Sequence, residues 1–169
     1  MIARFLKWIL SFFEQKQPSR IRPTIHVSKV PWLAIALDEL YQLELPGIEH
    51  NPRIIEYHSV TKLSAMEDET AWCSAFVCWC LEEAGIASPR SAWAKSFLGW
   101  GQKVYEPYQG CIVVFHRGSK NQSGHVGFYF GEDQKGIKVL GGNQENQVCI
   151  KTYSRSKLIG YREPKQKEL

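Results

Sequence analysis

Two hydrophobic rhythms divide the chain. Before Gly101 the apolar positions recur at three- and four-residue spacings; from Cys111 onward they come in short runs separated by turn residues. The segment from Pro31 to Leu43 (PWLAIALDELYQL) predicts a helix, with Pro31 suited to its first turn and Leu33, Ala36, Leu37, Leu40 and Tyr41 on one face. Leu45-Pro46-Gly47 breaks it, and Asn51-Pro52 opens a second helix through Tyr57 or His58. After a polar loop from Lys62 to Thr70, Ala71 to Ala84 is the most apolar helical stretch, with Gly85 as its stop. Ser91 to Trp100 predicts a further short helix whose face puts Trp93 and Trp100 in the core. Five strands follow: Cys111 to His116, Val126 to Phe130, Ile137 to Leu140, Val148 to Tyr153 and Lys157 to Tyr161. Helices first and a meander of strands second means α+β, with N-terminal helices packed on a C-terminal antiparallel sheet of about five strands.

The first 30 residues read differently. Residues 1–14 (MIARFLKWILSFFE) place Arg4, Lys7, Ser11 and Glu14 on one narrow stripe of a basic amphipathic helix. Such a helix is about 20 Å long, too short for a hydrocarbon core of about 30 Å, but suited to lie in a membrane surface with its bases near anionic headgroups. Its alternatives are a signal-like export anchor and a helix packed on protein. Residues 15–30 hold two prolines and few core-forming residues, and read as a linker. The body then spans 31–164, with a tail at 165–169.

Charge sharpens that division. The net charge is +4, and residues 1–25 carry all of it, since the other bases and acids balance at sixteen each. A body without excess basicity argues against nucleic acid as a partner. With 44% hydrophobic and 22% charged residues the chain is neither disordered throughout nor a multi-spanning membrane protein. The five cysteines are odd in number and irregularly spaced, a poor disulfide framework, and Cys78-x-Cys80 alone is a weak metal signal.

One cysteine stands apart. Cys73 falls near the start of the most apolar helix, where free N–H groups and the positive dipole end stabilise a thiolate and can hold an oxyanion. His125, after Gly124 at a strand start, can take the thiol proton and return it to a leaving amine. Asn143, after Leu140-Gly141-Gly142, can hold the imidazole in the right tautomer. Each has a structural alternative: core thiol, turn histidine, turn asparagine. Cys78, Cys80, Cys111 and Cys149 read as core, and His58 and His116 as structural, although His116 ends a strand that can approach the site.

The segments Glu69-Thr-Ala-Trp-Cys73-Ser-Ala-Phe-Val77, Gly124-His-Val-Gly-Phe-Tyr129 and Val139-Leu-Gly-Gly-Asn-Gln144 resemble the NlpC/P60 and CHAP peptidoglycan hydrolases of the papain-like cysteine peptidase superfamily, in a bacterial and phage-borne subgroup. The resemblance spans Pro31 to Pro164. It implies a papain-like fold, Cys73 as nucleophile, His125 as general base and Asn143 as the polar third residue, with Gln144 as the neighbouring candidate. Trp72 and Ala75 depart from the Asp and Gly of many NlpC/P60 members, and Gly141-Gly142 replaces a CHAP-like carboxylate.

The reaction implied is cleavage of a peptidoglycan amide, by an N-acetylmuramoyl-L-alanine amidase or an endopeptidase, without metal or cofactor. Trp72, Ser74, Tyr57, Asp68 and Gln144 are the expected substrate contacts; Asp68, with Glu67 and Glu69, can instead be a charge favourable to the helix start. The alternatives in other classes are a non-catalytic wall-binding or tail-associated module, and an antibacterial effector with an immunity protein. The place of action is the periplasm or cell wall, with inner-membrane association through residues 1–14.

Overall fold

The computed structural model describes residues 30–118 and 123–165. The expected helix at 1–14 and all of the linker except Val30 lie outside them; Val30 itself is buried in the core. Among the described residues three α-helices come first: α1 (Pro31–Asp38), α2 (Pro52–Ser59) and α3 (Cys73–Glu83), followed by a 3-10 turn at Ala94–Gly99. Six strands complete the fold: β1 (Gln102–Val104), β2 (Ile112–Arg117), β3 (Ser123–Asp133), β4 (Gly136–Gly141), β5 (Cys149–Tyr153) and β6 (Leu158–Glu163). They form one antiparallel sheet in the order β1-β6-β2-β3-β4-β5. The fold is α+β, as expected, with one strand more. No helix among the described residues is long and apolar enough to cross a membrane.

Local chemistry sets the helix starts. Pro31 and Pro52 each stand in a first turn, where a missing N–H costs nothing, and the Asn51 side chain accepts from the Arg53 N–H at 2.9 Å. α1 stops at Asp38, short of the expected Leu43. Its continuation is taken over by tertiary pairing: the Tyr41 N–H donates to the Val148 carbonyl at 2.9 Å, the Val148 N–H to the Gln42 carbonyl at 2.8 Å, and the Glu44 N–H to the Asn146 carbonyl at 2.9 Å. These bonds tie the exit of α1 to the loop before β5. Ser91 to Trp100 yields only the 3-10 turn. Trp93, expected in the core, is 57% exposed, while Trp100 packs edge-on against Phe97 and donates to the Ala87 carbonyl.

Every residue of α3 from Cys73 to Leu81 is buried. A helix apolar on all sides must be enclosed, and α1 and α2 cover one side of α3 while β3 and β4 cover the other. Along β2 the side chains alternate. Ile112 and Val114 join the helix-side core; Val113 and Phe115 join a second core with Tyr129, Ile137 and Val139 on the opposite face. That second face is closed by curling. β2 and β5 are three strand spacings apart, about 14 Å in a flat sheet at about 4.8 Å each. Yet the rings of Phe115 on β2 and Tyr153 on β5 stack with centroids 4.9 Å apart. The curl brings β5 round toward β2 and encloses the side chains between them, His125 among them.

Candidate active site

Cys73 is the first residue of α3 and only 4% exposed. Burial raises its thiol pKa, partly offset by the Val126 N–H, the Arg117 charge and the N–H groups of Ser74 and Cys73 itself. Val126 directly follows His125 in β3, so the helix start meets the strand at the histidine. The imidazole of His125 stacks on Tyr153 at 4.9 Å and 16°, and the same tyrosine senses the charge on Cys73. Thiol, imidazole and phenol ring thus gather where the α3 N-terminus abuts the curled sheet.

His125 is 3% exposed, and burial lowers its pKa to about 4; hydrogen bonding to Gln144 opposes this, while the Arg117 and Lys151 charges reinforce it. Its Nε2 lies 3.0 Å from Gln144 Oε1. The Gln144 amide is oriented by its other end, because Nε2 donates to the Val139 carbonyl at 3.2 Å and the Cys149 carbonyl at 2.5 Å. An amide so fixed offers only its oxygen to the ring, so His125 Nε2 carries the proton and Nδ1 keeps its lone pair. At neutral pH the resting groups are therefore a thiol and a neutral imidazole.

The third position departs from expectation. Asn143 does not hold His125; its side-chain N–H donates to Glu44 Oε1 at 2.8 Å, and Gln144 takes the imidazole. Asn143 sits at a φ of +52°, so the chain turns sharply and the two neighbouring side chains part. The same Glu44 oxygen accepts from Trp72 Nε1 at 2.7 Å. One carboxylate thus braces the residue before Cys73 and the residue before the imidazole's partner. Sequence reading missed Glu44, Arg117 and Tyr153, which lie far along the chain from Cys73 with no local motif.

The five expected substrate contacts are buried and already engaged. Trp72 is held by Glu44, and Gln144 by His125. Ser74 donates to the Ser91 carbonyl at 2.6 Å, and Tyr57 donates to Glu39 at 2.5 Å. Asp68 accepts from the Leu45 and Asn51 N–H groups, each at 2.9 Å, and lies 3.1 Å from His50 Nδ1. Burial acts to raise its pKa, but these bonds overcome it and hold the carboxyl below its ordinary range. Asp68 pins the loop between α1 and α2, and its side chain is closed to solvent. His58 is likewise buried away from the site, whereas His116 lines a cleft beside His125.

That cleft, about 320 Å³, is lined by His116, Arg117, His125, Gln144, Lys151 and Tyr153 among others, and Cys73 is not part of its lining. Among the described residues no cluster of three or more His, Cys, Asp and Glu side chains is placed to hold a metal.

The two glycines of Leu140-Gly141-Gly142 have separate tasks. A Cβ at Gly141 would stand 3.2 Å from Gln144 Oε1 and 3.5 Å from His125 Nε2, pressing on their bond. A Cβ at Gly142 would fall 2.4 Å from the Trp72 ring and 2.8 Å from the Phe76 Cβ. Gly142→Ala is therefore expected to destabilise the fold by about 1–3 kcal/mol, as overpacking does. Urea denaturation would detect this as an unchanged m-value with a lower midpoint; an unaltered midpoint contradicts the close approach.

Residues 65–143 match the CHAP domain. Among solved structures, the fold is similar to that of a protein described as similar to a lipoprotein, of the NLP/P60 family, from Staphylococcus aureus subsp. aureus Mu50. The TM-score is 0.52 and the identity 18%, over 94% of this chain and 48% of that one. The chain thus spans about half the length of that protein. No curated protein matches the sequence. The CHAP match takes in both Cys73 and His125, and the fold around them is similar to that of the NLP/P60 structure.

Proposed function

We propose that this protein is a cysteine hydrolase that cuts an amide bond of bacterial peptidoglycan outside the inner membrane, with Cys73 as nucleophile, His125 as general base and Gln144 as the residue that orients His125. The observation that carries the reading is the Gln144 amide, locked by two backbone carbonyls so that His125 keeps a free lone pair, one residue before the Val126 whose N–H meets the Cys73 thiol at a helix start.

As Cys73 sulfur bonds to the amide carbon, its proton passes to His125 Nδ1. The carbonyl oxygen becomes an oxyanion, with an N–H of the α3 start as a donor. Collapse breaks the C–N bond, and the amine leaves with the proton from His125. Water, deprotonated by His125, then attacks the thioester and releases a carboxylic acid and the thiol. Because the site favours both neutral partners, proton transfer runs with the attack and not ahead of it.

The test is incubation of purified sacculi with the protein and with protein alkylated at Cys73, followed by mass spectrometry of the soluble fragments. Release by the unmodified protein alone is expected. A new amine on the first L-alanine of the stem identifies an amidase, and a new terminus within the peptide an endopeptidase. Folded protein that binds sacculi of several wall chemistries and releases nothing overturns the reading in favour of a wall-binding module.

A further inference from the structure

The cleft beside His125 has a charge that the catalytic roles do not explain. Its wall carries Arg117, Lys151 and Lys157, with Glu145 as its one carboxylate. Glu145 is already bonded to Lys151 at 2.8 Å. Among the described residues, no carboxylate pairs with Arg117 or Lys157. Thr152 and Ser154 add hydroxyl groups to the same wall. Two uncompensated cations facing a concave polar surface make a site for an anion.

Position gives that anion a place in the substrate. The cleft is lined by His125 but not by Cys73. In a thioester route the acyl portion stays on the sulfur and the departing amine lies against the imidazole that protonates it. The portion of substrate within this cleft is then the leaving amine. We propose that the wall formed by Arg117 and Lys157 binds a free carboxylate carried by the leaving-amine portion of the substrate, close to its new amino group. This rests on the hydrolase reading for the identity of the substrate, but not for the existence of an anion site. Asp68, the one acid among the expected substrate contacts, is closed off, and the open wall is basic.

The two parts can be tested separately. Alkylation of Cys73 by iodoacetate and by iodoacetamide compares an anionic with a neutral reagent of nearly equal size. The ratio of the two rates cancels differences in thiol access and ionisation. Peptide mapping identifies Cys73 among the five thiols, and circular dichroism confirms that each variant is folded. The ratio is expected to fall about 5-fold in Arg117→Ala/Lys157→Ala, and to fall with rising salt in the wild type only. A ratio unchanged by the double substitution overturns the anion site, whether or not sacculi are cut. The expected fall with no fragment release from any sacculi keeps the anion site and removes the peptidoglycan reading. Failure of both reagents to modify Cys73 overturns the hydrolase reading, and with it the assignment of the basic wall to the leaving-amine portion of a substrate. With active enzyme, amidating the carboxylates nearest the scissile amide is expected to raise KM in the wild type and to leave KM of the double variant unmoved; an equal rise in both overturns the assignment to the leaving side.

Discussion

Cys73→Ala and His125→Ala are each expected to lower fragment release from sacculi by about 10⁴-fold or more, and the double variant to lose no more than either alone. The reason is the proton inventory. Without the thiol no thioester forms, and without the imidazole a thiol whose pKa burial has raised has no acceptor for its proton. Groups that act in one step are not additive. The pH profile tests the same geometry. Burial holds His125 near a pKa of about 4, so the base form persists as the pH falls through the ordinary histidine value of 6.5. The acid limb of kcat/KM is expected near pH 4, and a limb at 6 to 7 would show an imidazole in contact with solvent. Stability has its own sign. Between about 6.5 and about 4 the unfolded chain binds a proton at this histidine that the folded chain refuses, so folding weakens as pH falls through that window. Circular dichroism at each pH separates that loss from the catalytic limb.

How much of this was legible depended on distance along the chain. α3 was readable because an uninterrupted apolar stretch closed by Gly85 has one stable use, as an enclosed helix. The central strands were readable from their apolar runs. β1 was not: Gln102-Lys-Val104 has one apolar side chain, and it is a strand only because β6 pairs with it. The end of α1 was misplaced for the same kind of reason, since Leu40 and Tyr41 continue the helical rhythm but the backbone after Asp38 pairs with residues 146–148. At the site, Cys73 and His125 carried local signals, a helix start and a glycine-led strand. The side chains expected to meet substrate did not. Asp68 among acids in a polar loop looks solvated, and nothing near it in sequence announces that two backbone N–H groups and His50 enclose its carboxylate. The basic wall of the cleft is assembled from β2, β5 and the turn after it, so no single stretch of sequence displays it.

Gln144→Ala is expected to lower kcat by about 10²- to 10³-fold, with Asn143→Ala costing at least ten times less. Sequence alone places the two side by side, and the resemblance favoured Asn143. The fold separates them. Loss of the Gln144 oxygen frees His125 to carry its proton on either nitrogen and to rotate, and also strips the Val139 and Cys149 carbonyls of a donor. Loss of the Asn143 amide removes a bond to Glu44 and a residue suited to a φ of +52°, which weakens the fold by about 1 kcal/mol without touching the imidazole. Gln144→Glu separates orientation from charge. A carboxylate would stabilise an imidazolium better than an amide does, but it has no N–H for the two carbonyls and would stand against them. The glutamate variant is therefore expected to stay far below wild type in kcat while its acid limb moves above pH 4, because the added negative charge favours protonated His125. A glutamate variant with wild-type turnover would mean that the amide's donors are dispensable. An Asn143→Ala loss equal to that of Gln144→Ala would return the third catalytic position to Asn143.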